Sequence, residues 1–372
     1  MFDIMQRYQT RIARSRERLR AAWNRQNDKP VFIISDVNYA LCGQHDIPED
    51  YFEPAAMFEY QKNKIERHMR EIDDDYIPVF HPWYGTAVVP SALGIDVRFQ
   101  KGLDPTATGA VLNEAEDIKK LREPDYQNDG QFPGVLRCLK YFRENTDAPV
   151  CVTDTQGPFN IALTLAGVEN LFIWMYQEKT LVHELMEFCT HVLIEWVKIQ
   201  KIALGLAPNK GAYPHAIELP EGFGGVAFAD DDAGLVSRAL YEEFVVPYNE
   251  KLLATFSGGT MHFCGSAHQQ LGSITRMKNL GGINNFCMSD FGQILELNTL
   301  MEGKGAVMAC DFNAADPAAY CAGFKEAVGD IRGIVNGIFV APGMQLDDGN
   351  YIYGSKSREE TVEQYLYEFN NW

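Results

Sequence analysis

The chain has 372 residues, 46% of them hydrophobic and 23% charged, with a formal net charge of −18, which suits one large α/β domain or two average ones. That acidity excludes sequence-independent binding to nucleic acid or to an anionic membrane, since both need a basic surface. The start, Met1-Phe2-Asp3-Ile4-Met5-Gln6-Arg7, lacks a signal-peptide apolar core, no run of about 18 apolar residues occurs, and the eight cysteines are scattered; a cytoplasmic protein with reduced thiols is expected.

The first element is the Arg-rich stretch Arg11 to Arg25, where Ile12, Leu19, Ala22 and Trp23 give partial helical spacing. Residues 1–28 are expected to form a helical extension, packed across one end of the molecule or against a partner subunit, with its arginines as a solvated face. Residues 29–372 read as a single domain. In it, short β-branched or aromatic runs alternate with helical stretches, the pattern of a parallel sheet. The runs are Val31 to Val37, Ile77 to His81, Val150 to Asp154, Val226 to Asp230, Thr260 to Cys264, Ile283 to Ser289, Ala306 to Asp311 and Gly337 to Ala341. Helices are expected from Leu181 to about Leu204 and from Ser237 to about Phe256. Eight such alternations fit a (β/α)₈ TIM barrel better than an open sheet. Gly222-Phe223-Gly224-Gly225 reads as a flexible turn, because it precedes a strand whereas a dinucleotide loop follows one.

Most of these strands end in a polar side chain next to Gly, Pro or Asp: Asp36-Val37-Asn38, His81-Pro82-Trp83-Tyr84, Asp154-Thr155-Gln156-Gly157, Asp230-Asp231-Asp232, Ser289-Asp290 and Cys310-Asp311-Phe312-Asn313. In a barrel these ends meet at one mouth, where barrel enzymes carry out their chemistry. Asp154 and Asp231 are the candidate catalytic carboxylates. Asn38, His81, Tyr84, Gln156, Glu218, Asp230, Asn313 and Met344 are the candidate substrate-binding residues. Asp232 and Asp290 read equally well as helix N-caps, and Trp83, Tyr84 and Phe312 as ordinary core packing.

The most specific signal is Met261-His262-Phe263-Cys264-Gly265, a strand running into a turn. Alternation puts His262 and Cys264 on one face, and an imidazole beside a thiolate suits Zn²⁺. Cys310 is the candidate third ligand, leaving a fourth position open for water or substrate. The competing reading makes Cys264 and Cys310 small core residues and His262 a satisfied interior histidine.

Taken in order, Gln156-Gly157-Pro158-Phe159, Ala166-Gly167-Val168-Glu169-Asn170, Asp230-Asp231-Asp232, Tyr241-Glu242-Glu243-Phe244-Val245-Val246-Pro247-Tyr248 and His262-Phe263-Cys264-Gly265 resemble the uroporphyrinogen decarboxylase superfamily over roughly residues 75 to 345. The resemblance implies a (β/α)₈ barrel and one of two chemistries. Cofactor-free tetrapyrrole decarboxylation implies arginines in the first strand's loop and an Asp after the second strand; Ser35-Asp36-Val37-Asn38-Tyr39 and His81-Pro82-Trp83-Tyr84 supply neither. The second branch resembles cobalamin-dependent methyltransferases, in which an H-x-C pair and a later Cys hold Zn²⁺ that activates an acceptor thiol to take a methyl group from a corrinoid protein. His262 and Cys264 match it. Where that branch has Gly-Cys after the last strand, this chain has Pro342-Gly343-Met344, and Met is a poor zinc ligand.

Cys310 is then the first substitute ligand and an oxygen from Glu218 or Asp311 the second; a degenerate site that binds something else is the third reading. The expected function is a zinc-dependent methyltransferase moving a methyl group from a methylcorrinoid on a partner protein to a small-molecule thiol, in a chain that could form a homodimer. The alternatives are a metal-free lyase or hydrolase with Asp154 or Asp231 as general base, and a non-catalytic protein binding a corrinoid or small aromatic molecule.

Overall fold

Residues 1–35, 53–100, 103–340, 344–345, 351–352 and 357–372 are described by the computed structural model. Near-continuous apolar runs such as Val31-Phe32-Ile33-Ile34 become strands buried along their whole length, as in a sheet covered on both faces. In chain order the strands are β1 (Val31–Ser35), β2 (Asp96–Gln100), β3 (Leu103–Thr108), β4 (Val226–Ala229), β5 (Gly259–Cys264), β6 (Leu280–Phe286), β7 (Ala306–Phe312), β8 (Ile334–Phe339), β9 (Met344–Gln345) and β10 (Tyr351–Ile352).

Six of them form one parallel ladder in the order β1-β8-β7-β6-β5-β4. The two remaining barrel positions are filled by extended segments. Asp75 N donates to Phe32 O of β1 at 3.0 Å, Phe80 bridges Val150, and Gln156 bridges Ala229 of β4, both in parallel. All eight expected positions are therefore present, and the fold is a (β/α)₈ barrel. The second and third lack a regular ladder because Pro78, Pro82 and Pro149 have no N–H to give it. The antiparallel hairpins β2–β3 and β9–β10 are additions.

The expected helix from Ser237 to Phe256 is two, Arg238–Phe244 and Val246–Thr255. Pro247 explains the break, since its ring collides with the carbonyl of residue 243 in a continuous helix. The glycine turn before β4 is fixed by packing: Gly224 has φ +105°, and a Cβ there would lie 1.9 Å from the carbonyl carbon of Gly258.

Helix Gln9–Trp23 lies across the end where the strands begin. Trp23 is buried and donates its indole N–H to Gly281 O, at the start of β6, at 3.1 Å. Its arginines are paired as much as solvated, contrary to expectation. Arg11 meets Asp74 at 2.9 Å, Arg18 meets Asp75 at 2.6 Å and Arg16 meets Glu218 at 2.9 Å. Asp74 and Asp75 also accept from Ile34 N and Phe32 N, which ties this helix to β1. Among the described residues, no single helix is long and apolar enough to cross a membrane.

Candidate metal and substrate site

Strand alternation brings His262 and Cys264 of β5 together, with Nε2 and Sγ 3.3 Å apart. The register pairs Ala229 of β4 with His262, so the chain two residues beyond β4 delivers Asp231 to the same point. Its Oδ1 lies 3.2 Å from His262 Nε2 and accepts the Cys264 backbone N–H at 3.0 Å. The three ligand atoms all lie within 4.8 Å of one another. His262 is buried beneath the partly open Asp231 and Cys264.

The cross-strand neighbour of His262 is Asn284 of β6. Asn284 Oδ1 accepts the Nδ1–H of His262, and its amide N donates to Cys310 Sγ at 3.1 Å. The imidazole is thus fixed with Nε2 turned toward Asp231 and Cys264, as a metal-ligating histidine is usually held. Burial works against a charged His262, but hydrogen bonds with Asp231 and Cys264 outweigh it and raise its pKa to about 10. Burial likewise pushes Asp231 upward, yet its bond to His262 leaves it below the ordinary carboxylate value.

Cys310 stands outside this trio. It occupies β7 behind Asn284, fully buried, and burial pushes its thiol up to about 12. Asp231, expected as a catalytic base, takes the place beside His262 and Cys264 that the sequence reading gave to Cys310. The reason is register: β6 and its Asn284 lie between β5 and β7.

Beside His262 a partly open cavity runs into the barrel. His81, Trp83, Asp154, Tyr213, His215, Phe228 and Phe339 are among its lining residues. Burial raises Asp154 to about 6, even with Gln156 Nε2 donating to it at 2.8 Å, and lowers His81 to about 4. Sequence reasoning missed His215. Leu219 N donates to Ala212 O at 3.0 Å, folding residues 212–219 back on themselves. His215 sits in that fold with φ +46°, its ring centroid 4.3 Å from that of His262 and 5.0 Å from Phe286. Its Nδ1 is buried without a hydrogen-bond partner. Neither His215 nor Asn284 carries a motif, and only the strand pairing and the fold-back bring them to the site.

Other expected residues go elsewhere. Tyr84 is buried with its hydroxyl 3.3 Å from Cys138 Sγ, against helix Phe132–Asn145. Asp230 is fully buried and accepts from Tyr241 OH at 2.7 Å and Asn249 at 3.0 Å, so it locks the two helices after β4 to the barrel and does not line the cavity. Burial raises it to about 7. Glu218 is occupied by Arg16. Asn313 is buried past β7 with its N–H on Phe339 O at 3.2 Å, and Asp311 accepts Ser289 N at 2.7 Å. Asp290 is an N-cap, accepting Gln293 N. Asn38 and the side chain of Met344 lie outside the described residues.

Comparison with known proteins agrees with this architecture. A solved methyltransferase from Methanosarcina mazei superposes with a TM-score of 0.68, covering 96% of this chain and 98% of that one at 17% identity, a likeness of fold. The methylated-thiol–coenzyme M methyltransferase of Methanosarcina mazei is 25% identical over 202 residues, 52% of this chain. The match spans about half, 49%, of that relative's length. The profile of the family described as Uroporphyrinogen decarboxylase (URO-D) matches residues 15–205, half of the sequence. The chain belongs to the uroporphyrinogen decarboxylase family.

Proposed function

We propose that the protein is a zinc-dependent methyltransferase that moves a methyl group from a corrinoid carried on a partner protein to a small thiol. The observation that carries this reading is the Asp231–His262–Cys264 trio at the barrel mouth. Its separations of 3.2 and 3.3 Å are within a few tenths of an ångström of those in tetrahedral zinc, whose ligand atoms stand about 3.3 to 3.6 Å apart for ordinary Zn–N, Zn–O and Zn–S bonds. Three protein ligands leave one position for the acceptor sulfur. Bound zinc would supply Lewis acidity that keeps that sulfur deprotonated, where a free thiol of pKa near 8.5 is mostly protonated.

The chain's own residues do the rest. Asn284 fixes the His262 ring, and Asp231 both accepts the Cys264 N–H and contributes an oxygen. Asp154, ionised above about 6 and held by Gln156, shares the cavity with His262 and would receive the thiol proton. In the transfer itself a sulfur–carbon bond forms while the carbon–cobalt bond breaks, its electron pair remaining on cobalt. The name of the methylated-thiol–coenzyme M methyltransferase describes methyl transfer that involves a methylated thiol, which supports methyl transfer at sulfur as the reaction class here.

The test follows loss of the cobalt–methyl absorbance when methylcobalamin and a thiol are mixed with zinc-loaded protein. Cys264→Ala should slow it at least 100-fold while leaving the thermal melt intact. Equal rates in that variant, or in chelator-treated protein, would contradict the proposal and favour metal-free carboxylate chemistry at Asp154.

A further inference from the structure

We infer that the acceptor thiol carries an uncharged apolar body, an aryl or alkyl group, that lies inside the barrel along β4 while its sulfur meets the Asp231–His262–Cys264 trio. The inference rests on the methyltransferase reading and adds the chemical class of the acceptor. A corrinoid on a partner protein reaches the trio from its open side, where Cys264 is exposed and Asp231 partly open. The sulfur attacks the methyl carbon from the side opposite cobalt. The rest of the acceptor therefore extends away from the partner, to the side where His262 is buried and the cavity begins.

A barrel interior is ordinarily filled by bulky branched side chains. On β4 the inward positions hold only Ala227 and Ala229, which pair with Thr260 and His262 of β5, with Gly225 two residues before Ala227. All three line the cavity. The side formed by β6 and β8 is filled, since the Phe286 and Phe339 rings meet there with centroids 5.0 Å apart. Ala227 and Val152 are partly exposed between the buried Val226, Phe228 and Cys151, and the surface they show is cavity wall. The loop before β4 closes the lower end, where a Cβ on Gly225 would lie 2.0 Å from Pro208 O. From Ala229 to Gly225 the strand covers about 13 Å, at about 3.3 Å per residue, enough for a two-carbon arm and a phenyl ring. The charged lining residues, Asp154 and His262, interact with each other and with Asp231, at the end where the sulfur sits. His81 is kept neutral by burial, which lowers it to about 4, and the hydroxyls of Thr153 and Thr155 are taken by the carbonyls of Pro82 and Thr153. An apolar body along Ala227 replaces water with methyl contacts. A strongly hydrated tail would lose its water there without a partner.

The experiment uses the full chain loaded with zinc and measures binding calorimetrically for two thiols with the same two-carbon arm, 2-phenylethanethiol and 2-mercaptoethanol. The phenyl thiol should bind at least tenfold more tightly. Ala227→Val and Ala227→Leu, which fill the wall in two steps, should reduce that advantage progressively, with the larger side chain removing most of it. Zinc content and far-UV circular dichroism identify the variants that have folded, and the comparison in the parent chain needs no variant. An advantage below twofold in the parent would overturn the inference while leaving methyl transfer standing. A tenfold advantage that persists unchanged in a folded, zinc-loaded Ala227 variant would overturn the placement along β4, since a phenyl group held by some other apolar surface does not sense that side chain. Binding of neither thiol to zinc-loaded protein would overturn the thiol acceptor itself.

Discussion

Asn284 stands between His262 and Cys310, its Oδ1 receiving the Nδ1–H of His262 and its amide nitrogen 3.1 Å from Cys310 Sγ. The amide is a clamp that selects one histidine tautomer and one ring orientation. Replacing such an outer partner typically costs 10- to 100-fold in metal affinity. Asn284→Leu should weaken zinc binding by about that factor, measured by competition with a chelator, with little change in the far-UV circular dichroism. Unaltered affinity would show that strand geometry alone holds the ring.

Arg18 is a fastening for the helix below the barrel. Its partner Asp75 is only 3% exposed in its side chain, and removing the guanidinium leaves a buried carboxylate short of a counter-charge. Burial already holds Asp75 above the ordinary carboxylate value in spite of Arg18. Arg18→Ala should lower stability by about 3 kcal/mol in urea denaturation, the range for breaking a buried pair. Adding Asp75→Asn should restore part of the loss, because the neutral amide needs no counter-charge.

Lys201 gives a pH dependence of known sign. It is 2% exposed, donates to the Lys210 carbonyl and lies 5.6 Å from the Phe256 ring. Burial lowers its ammonium to about 8, against about 10.4 for an unfolded lysine. Below pH 8 both states are charged and the desolvation cost is fully present. Between pH 8 and about 10 the folded state has lost its proton and the unfolded state has not, so the cost shrinks. The melting temperature of Lys201→Met minus that of the parent should therefore fall as pH rises from 7 to 10. A difference that stays flat would mean that Lys201 is not the group titrating.

The barrel was legible because its strands are nearly unbroken apolar runs separated by helices, and that pattern survives even where Pro78 and Pro149 spoil the ladder. His262 and Cys264 were legible because strand alternation is a local rule. The third member of the trio was not. Choosing between Asp231 and Cys310 requires the register of β4 and β6 against β5, which is set by long-range packing. Asp230 misled for a related reason: adjacent carboxylates at a strand end point in different directions, and only Asp231 faces His262 while Asp230 turns to Tyr241 and Asn249. Tyr84 misled because a turn after a strand can send its side chain outward to a helix, here toward Cys138.

The central claim is that Asp231, His262 and Cys264 hold a metal ion without Cys310. Metal content by mass spectrometry, on protein purified without added metal, tests it most directly in the parent chain and in Asp231→Ala, Cys264→Ala and Cys310→Ala. About one zinc per chain is expected in the parent and in Cys310→Ala, with loss in the other two. Zinc retained in Asp231→Ala but lost in Cys310→Ala would return the third ligand to β7. A parent protein that neither contains zinc nor takes it up would contradict the metal site altogether.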